Sequence, residues 1–196
     1  MALAVTLLVA RAGCVAGSSS SAREVSGGPV VVESMGGSTG FATDFVVWAI
    51  GDSLMVGPAD RLTEARPTIL IDAKKGRSFE SGIDVLEHRL ESGVPDVLVF
   101  ALGTNNSAMS EQVVRVIRLT SDIDEVVFVN VVVPRPWESA TNTVLLDTAS
   151  AYASATMVDR YGGSETAAGL FRSGGYHLTA DGIDTWVGMI MTEVTD

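Results

Sequence analysis

The sequence predicts an α/β fold in which helices cover both faces of a parallel sheet. Short β-branched apolar runs alternate along the chain with amphipathic stretches of helical spacing. The first of these runs is continuously apolar, as expected for a strand buried on both faces. The chain has 196 residues, of which 46% are hydrophobic and 19% charged, and can therefore form the core of one domain.

Each predicted strand is short and rich in valine or isoleucine. The strands cover 45–50, 68–72, 96–102, 125–133 and 156–158. A helical stretch follows the first strand and is broken at Gly57-Pro58, because proline inside a helix removes a hydrogen bond. The remaining helices cover 83–90, 112–119, 140–153 and 181–194. Five strands alternating with helices of this length predict βαβ units, with functional residues at the carboxyl ends of the strands.

The N-terminal part of the chain differs in composition from the rest. Residues 1–15 contain a short apolar run followed by Arg11 and small residues before Cys14, which is typical of a secretory signal or a lipoprotein-like segment. Cys14 is thus a candidate for a lipid anchor, with an ordinary free or buried thiol as the alternative. Residues 16–40 are dominated by Ser and Gly and predict a flexible linker. We therefore expect the folded domain to occupy 41–196 and the protein to be secreted or in the cell envelope.

Charge and composition exclude several classes of partner. The formal net charge of −11 would repel phosphate backbones, so no nucleic acid is expected. One Cys and two His cannot build a zinc cage, so no metal is expected, and no organic cofactor is implied. A phosphate-binding role is disfavoured because the chain has no Gly-rich phosphate loop of the expected spacing.

A serine follows the first predicted strand directly, in Gly51-Asp52-Ser53-Leu54. A serine in a tight strand-to-helix turn exposes its hydroxyl, and its N–H lies at a helix N-terminus that favours a developing oxyanion. On these four residues alone, helix capping by Asp52 or Ser53 is an equally good interpretation.

Two further turns follow strands. Asn105, in Gly103-Thr104-Asn105-Asn106, has an amide that could donate to a carbonyl oxygen under attack. Gly76, in Lys74-Lys75-Gly76-Arg77, could bring a backbone N–H close to a substrate. Taken singly, both are ordinary turns.

Of the two histidines, only one precedes a helix in a position suited to catalysis. His177 lies on the loop before the last predicted helix, where it could act as a general base. His88 lies on the polar face of a helix, where surface exposure is the better interpretation.

Together, these motifs resemble those of the SGNH (GDSL-type) hydrolase family over nearly all of 45–196. The resemblance implies a three-layer α/β/α sandwich with a five-stranded parallel sheet, the flavodoxin-like SGNH hydrolase fold. It implies that Ser53 is the nucleophile and His177 its base. It also implies that the N–H groups of Ser53 and Gly76, with the side chain of Asn105, form the oxyanion hole.

Two stretches narrow the resemblance. Residues 131–138 with Asn142, and residues 72–77, are similar to segments in the extracytoplasmic domains of peptidoglycan O-acetyltransferases. This similarity implies a small-molecule or glycan acyl ester as substrate, in particular an O-acetyl ester of a cell-wall sugar. We take Asp52, Arg135 and Trp137 as candidate substrate-binding residues; for Trp137, packing over the sheet edge is an equal alternative.

One position departs from the family pattern. The family usually has an aspartate three residues before the histidine, and this chain has Gly174 there. That carboxylate normally orients the histidine and stabilises its protonated form. A Ser–His dyad remains the expectation, with Asp159 and Asp181 as possible substitutes for the carboxylate. A catalytically weak or inactive glycan-binding domain is the alternative.

Overall fold

The structure, a computed structural model, describes residues 28, 30–32, 45–160 and 169–194. Its centre is a six-stranded sheet with the order β1-β3-β2-β4-β5-β6. The strands are β1 Val30–Val32, β2 Val47–Gly51, β3 Ile69–Ala73, β4 Val97–Ala101, β5 Glu125–Val129 and β6 Ala155–Val158. Strands β2 to β6 pair in parallel, as the sequence predicted, whereas β1 pairs antiparallel with β3.

Helices cover both faces of the sheet within the described residues. They are α1 Ser53–Val56, α2 Ala59–Ala65, α3 Phe79–Leu90, α4 Ser110–Leu119, α5 Glu138–Ala151 and α6 Ala180–Glu193. Residues of α1, α2 and α6 pack against one face, and residues of α3, α4 and α5 against the other. The expected three-layer α/β/α sandwich is therefore confirmed.

Strand β2 shows why the predicted run is continuously apolar. Its side chains alternate between the faces, with Val47 and Ala49 in one core and Trp48 and Ile50 in the other. All five residues of β2 are buried. A central parallel strand must be apolar on both sides because helices cover both.

The sheet has one strand more than the five expected. Residues 30–32, which fall in the segment predicted to be a linker, form β1 and pair with β3 through Val30–Ala73 and Val32–Ile71. Three valines have a strong preference for strands, and the edge of β3 offers them unpaired backbone groups. Cys14 and the rest of the predicted signal segment lie outside the described residues.

Strand β5 is shorter than its apolar run, which continues to Val133. The Asn142 side chain hydrogen-bonds to both backbone groups of Val131. Val131 N–H donates to Asn142 Oδ1, and Asn142 Nδ2 donates to Val131 C=O, both at 2.8 Å. Val133 N–H donates to Glu138 Oε2. These side chains replace a neighbouring strand from Val131 onward, so β5 does not continue through the apolar residues 131–133. Asn130 N–H, directly after β5, still donates to the carbonyl of Val158 at 3.2 Å.

The connections place all parallel strands with their carboxyl ends at one edge. From β2 the chain first moves to β3 on one side and then to β4 on the other, so a topological switch point lies beside β2. Ser53 follows the end of β2 by two residues. None of the helices in the described ranges is both long and apolar enough to cross a membrane.

Candidate active site

Asp52 caps the short helix that begins at Ser53. Its Oδ1 accepts a hydrogen bond from Leu54 N–H at 2.9 Å, which is the N-cap interaction that the sequence offered as an alternative to catalysis. Ser53 itself is half-buried at the carboxyl edge of the sheet. The carbonyl of Gly51 accepts from Lys74 N–H at 3.2 Å, so this turn is joined to the loop after β3.

Gly76 lies in that loop with φ of +75°, a conformation that strains any residue with a side chain. Apart from Gly76 and its two chain neighbours, no atom of the described residues lies within 4 Å of the position that a Cβ would occupy. The requirement for glycine thus comes from the backbone conformation, and the space beside the residue is open.

Asn105 connects the turns after three neighbouring strands. Its Nδ2 donates to Asp52 Oδ2 at 3.3 Å and to the carbonyl of Arg77 at 3.1 Å. Gly103, with φ of +124°, turns the chain out of β4 just before it. Because Asp52 follows β2 and Arg77 follows β3, this one amide joins the ends of β2, β3 and β4. Ser53, Gly76 and Asn105 are thereby collected around the switch point.

Asp52 is completely buried under this arrangement. Burial raises the pKa of its carboxyl above the usual 3.8, while hydrogen bonds from Leu54 and Thr104 and the charge of Arg160 oppose that rise. One carboxylate oxygen faces Leu54 and the other faces Asn105. The structure therefore places Asp52 behind the turn and in contact with protein groups.

His177 lies on a loop that folds back on itself before α6. Phe171 and Leu178 form a β-bridge, and Arg172 N–H donates to the carbonyl of His177 at 2.8 Å. The imidazole is exposed, and its ring centre lies 4.4 Å from that of Tyr176. Gly174 lies at the tip of the loop, also exposed, with φ of +121°.

Arg160, which the sequence analysis did not single out, links this loop to the rest of the site. It is 4% exposed and follows β6, and its Nη2 donates to the carbonyl of Tyr176 at 2.8 Å. Its guanidinium also lies 5.2 Å from the centre of the Phe171 ring. Burial lowers the pKa of Arg160 to about 10, and attraction to Asp52 opposes this shift. The buried guanidinium of Arg160 is thus hydrogen-bonded to the His177 loop and lies near enough to Asp52 for the two opposite charges to attract each other.

The histidine and serine are not hydrogen-bonded to each other in this structure, as far as the described residues show. Within 45–160 and 169–194, no carboxylate bonds the imidazole of His177 either. Asp159 accepts from Asn130 Nδ2 at 2.6 Å, and Asp181 is exposed in the first turn of α6. Catalytic hydrogen bonds are often long or poorly aligned before substrate binds and tighten only in the complex.

Arg135 and Trp137 lie after β5 at the same edge. Trp137 Nε1 donates to the carbonyl of Gly103 at 3.1 Å, so its ring is fixed next to the turn that carries Asn105. The guanidinium of Arg135 lies 5.9 Å from the centre of the Trp137 ring and is exposed. By contrast, His88 is on the surface as expected, since its side chain is 85% exposed beside Glu91.

The sequence is related to cell-wall acetyltransferases. It is 32% identical over 143 residues to a peptidoglycan O-acetyltransferase of Listeria monocytogenes. It is 29% identical over 146 residues to a Bacillus subtilis protein that carries the name of the same kind of enzyme. The matches cover 72% and 74% of this chain but 23% of each relative, so the chain spans about a quarter of the length of the curated relatives it matches. No model of a known protein family matches the sequence.

Solved structures share the fold. The C-terminal catalytic domain of peptidoglycan O-acetyltransferase A from Streptococcus pneumoniae matches with a TM-score of 0.68 and 14% identity, over 75% of this chain and 90% of that one. A lipase/acylhydrolase from Enterococcus faecalis matches with a TM-score of 0.60 and 16% identity, over 76% of this chain and 95% of that one. At these identities the likeness establishes the α/β/α architecture.

Proposed function

We propose that this chain, which is similar in sequence to peptidoglycan O-acetyltransferases and resembles the SGNH (GDSL-type) hydrolases, is a serine esterase or acyltransferase acting on short acyl esters, in particular O-acetyl esters of cell-wall or other carbohydrates. The observation that carries this proposal is the position of Asn105, whose amide joins the Ser53 turn to the Gly76 loop. A nucleophile and three hydrogen-bond donors collected at one edge of the sheet are what acyl transfer needs.

In the proposed reaction, the Ser53 hydroxyl attacks the ester carbonyl carbon while His177 accepts the hydroxyl proton. The carbonyl oxygen becomes an oxyanion, stabilised by the N–H groups of Ser53 and Gly76 and by one N–H of Asn105 Nδ2. Both N–H groups of that amide are donated to Asp52 and Arg77 in this structure, so one of these bonds is exchanged for the bond to the oxyanion. The tetrahedral intermediate then breaks its bond to the alcohol oxygen, and the leaving alcohol takes the proton from His177. The acyl group remains on Ser53 as an ester.

The second half-reaction decides between hydrolysis and transfer. Water attacks the acyl-enzyme in an esterase, and a sugar hydroxyl attacks it in an acyltransferase; in both, His177 removes the proton of the attacking oxygen. The second tetrahedral intermediate then breaks its bond to Ser53 Oγ, which takes the proton back from His177, and the free acid or the new ester leaves. Arg135 and Trp137 border the site beside Gly103, and we assign them to binding the carbohydrate. We assign Asp52 to holding Asn105 and the Ser53 turn, because its carboxylate is buried and bonded to both.

The cell envelope is the proposed location, because the named relatives act on peptidoglycan. The N-terminal segment with Cys14 is consistent with export, and lipid attachment at Cys14 remains a prediction from sequence.

Hydrolysis of p-nitrophenyl acetate by the whole chain, compared with Ser53→Ala, tests the proposed nucleophile. Ser110→Ala is the matched control, because Ser110 is an exposed serine at the start of α4. We expect turnover to vanish in Ser53→Ala and to persist in Ser110→Ala, and a fluorophosphonate probe to label the wild type at Ser53. Equal turnover by wild type and Ser53→Ala would refute the nucleophile.

A glycan-binding domain without catalysis is the second candidate function. It is favoured by Gly174, which replaces the usual carboxylate, and by the absence of a carboxylate partner for His177 among the described residues. Retention on purified peptidoglycan without ester turnover and without fluorophosphonate labelling would support it over the esterase.

A further inference from the structure

Arg77 is a buried arginine in the centre of the site. Its side chain is 2% exposed, and its Nη2 forms an ion pair with Asp72 Oδ1 at 2.5 Å. Its Nη1 donates to the carbonyl of Gly51 at 3.1 Å and to the carbonyl of Asp72. A long cationic side chain is rarely buried to this extent unless its charge is paired. Both terminal nitrogens of Arg77 are hydrogen-bonded, whereas its buried Nε has no hydrogen-bond partner among the described residues.

The carboxylate that pairs with Arg77 is itself fixed from the other side. Arg89 on α3 donates from Nε and Nη2 to Asp72 Oδ2, at 3.1 and 2.9 Å. Each carboxylate oxygen of Asp72 is therefore hydrogen-bonded to an arginine, and the Asp72 side chain cannot rotate without breaking charged hydrogen bonds. A buried charged group of this kind adds little net stability over apolar packing, so its strongest effect is to fix geometry.

Arg77 is placed to act on all three components of the proposed oxyanion hole. The Gly51 carbonyl that it binds lies two residues before Ser53. The residue directly before it is Gly76. Its own carbonyl accepts the hydrogen bond from Asn105 Nδ2 at 3.1 Å.

From these contacts we infer that Arg77, held by Asp72 and Arg89, is a positioning residue that sets the spacing of the three oxyanion donors. The inference rests on the proposed function, because it assigns Arg77 a role in that same site. Oxyanion donors act at about 2.7–3.1 Å from the developing charge, and a misplacement of about 1 Å costs on the order of 100-fold in rate. Rigid support of the donors is therefore a direct determinant of kcat.

The test compares Arg77→Lys with Arg115→Lys in p-nitrophenyl acetate hydrolysis. Arg115 is the control because it also pairs with two carboxylates, of Glu80 and Glu87, but on the surface between α3 and α4. Lysine keeps the positive charge, but its single ammonium group cannot reproduce the set of hydrogen bonds that the guanidinium of Arg77 makes to Gly51 and Asp72. We expect kcat of Arg77→Lys to fall about 10- to 100-fold with KM within about threefold, and Arg115→Lys to match the wild type.

Two further readouts separate positioning from a general loss of structure. The pH midpoint of kcat/KM should stay at its wild-type value in Arg77→Lys, because the proposed base is His177. Arg77→Lys should also cost much less in an Asn105→Ala background than alone, since both changes damage the same hole. Thermal melting verifies that each variant is folded.

A folded Arg77→Lys with wild-type kcat, or fully additive losses with Asn105→Ala, would overturn the inference while leaving the esterase proposal intact. Equal turnover by wild type and Ser53→Ala would instead remove the proposed function and the inference with it. If Arg77→Lys does not fold, Arg89→Gln decides, because it loosens Asp72 from the more exposed side. An unchanged kcat in folded Arg89→Gln would then overturn the inference, and a severalfold loss would support it.

Discussion

Two adjacent asparagines provide the most discriminating prediction for this site. Asn105 donates its amide to the ends of two neighbouring strands and is exposed at the site. Asn106 points to a different element: its Oδ1 accepts from Phe79 N–H at 2.9 Å, in the first turn of α3. Replacing each by alanine removes the same side chain at neighbouring positions, so the two variants should separate catalysis from stability.

Asn105→Ala removes one proposed oxyanion donor. Loss of such a donor lowers kcat by about 10²–10³, or roughly 2.7–4 kcal/mol of barrier. Its hydrogen bonds to Asp52 and Arg77 are also lost, but Asn105 is exposed, so water can enter the space that its side chain leaves and donate to the Asp52 oxygen that is buried in the wild type. The stability change should therefore be about 1 kcal/mol or less.

Asn106→Ala leaves the Phe79 N–H without its acceptor at the start of α3. Loss of a partner at a helix N-terminus costs about 0.5–2 kcal/mol. For a chain of this size, each kcal/mol lowers Tm by roughly 2–4 °C. We expect kcat to stay within about threefold of wild type, because the Asn106 side chain is hydrogen-bonded to Phe79 and Ser107 and, among the described residues, to none of the proposed oxyanion donors.

The assay is steady-state hydrolysis of p-nitrophenyl acetate, normalised to the fraction of Ser53 labelled by a fluorophosphonate, with Tm measured on the same samples. The expected pattern is a large kcat loss for Asn105→Ala and a larger Tm loss for Asn106→Ala. A kcat for Asn105→Ala within threefold of wild type would refute the proposed oxyanion role, and so would equal kcat losses in both folded variants.

Three further changes follow from contacts at the same edge. Gly76→Ala should lower stability by about 1–2 kcal/mol, because alanine is strained at φ +75°, and should also lower kcat. Gly57→Ala, at φ −64° with equally open space, should not reduce stability. Urea unfolding and kcat are measured for both variants, and equal effects of the two substitutions would contradict the prediction. Burial raises the pKa of Asp52, so ionisation of its carboxyl opposes folding. The unfolding free energy of wild type, relative to that of Asp52→Asn, should therefore be greatest below pH about 4 and fall as the pH rises through the raised pKa. Urea unfolding from pH 3.5 to 7 measures this difference, and a difference that grew with pH would contradict the prediction. Trp137→Phe keeps a ring but loses the hydrogen bond to Gly103, so Tm should fall by the equivalent of about 1 kcal/mol, and an unchanged Tm would mean that this bond does not hold the loop.

The parallel sheet could be predicted because its strands carry their own signal. The run predicted at 68–72 forms β3, Ile69–Ala73, and the run at 156–158 lies within β6, Ala155–Val158. The end of β5 could not be predicted from apolar residues alone. It depends on hydrogen bonds to the side chains of Asn142 and Glu138, which both lie on the following helix, α5.

The site was predictable where its residues follow strands directly. Ser53, Gly76 and Asn105 are collected at neighbouring strand ends, and their roles remain predictions that the assays above test. Arg77 and Arg160 were not foreseen as buried residues, because sequence reasoning assigns arginine to the surface. Their importance appears only when the chain places a carbonyl or carboxylate of a distant segment beside each guanidinium.

The direction of β1 has a consequence for how the domain can be tethered. Val30, where β1 begins, pairs with Ala73, the last residue of β3, so the chain enters the sheet at the edge that carries Gly76. Whatever precedes Val30 therefore attaches on the same side as Ser53. A short tether to a surface would turn the edge that carries Ser53 toward that surface, and a longer one would let the domain reach molecules further away.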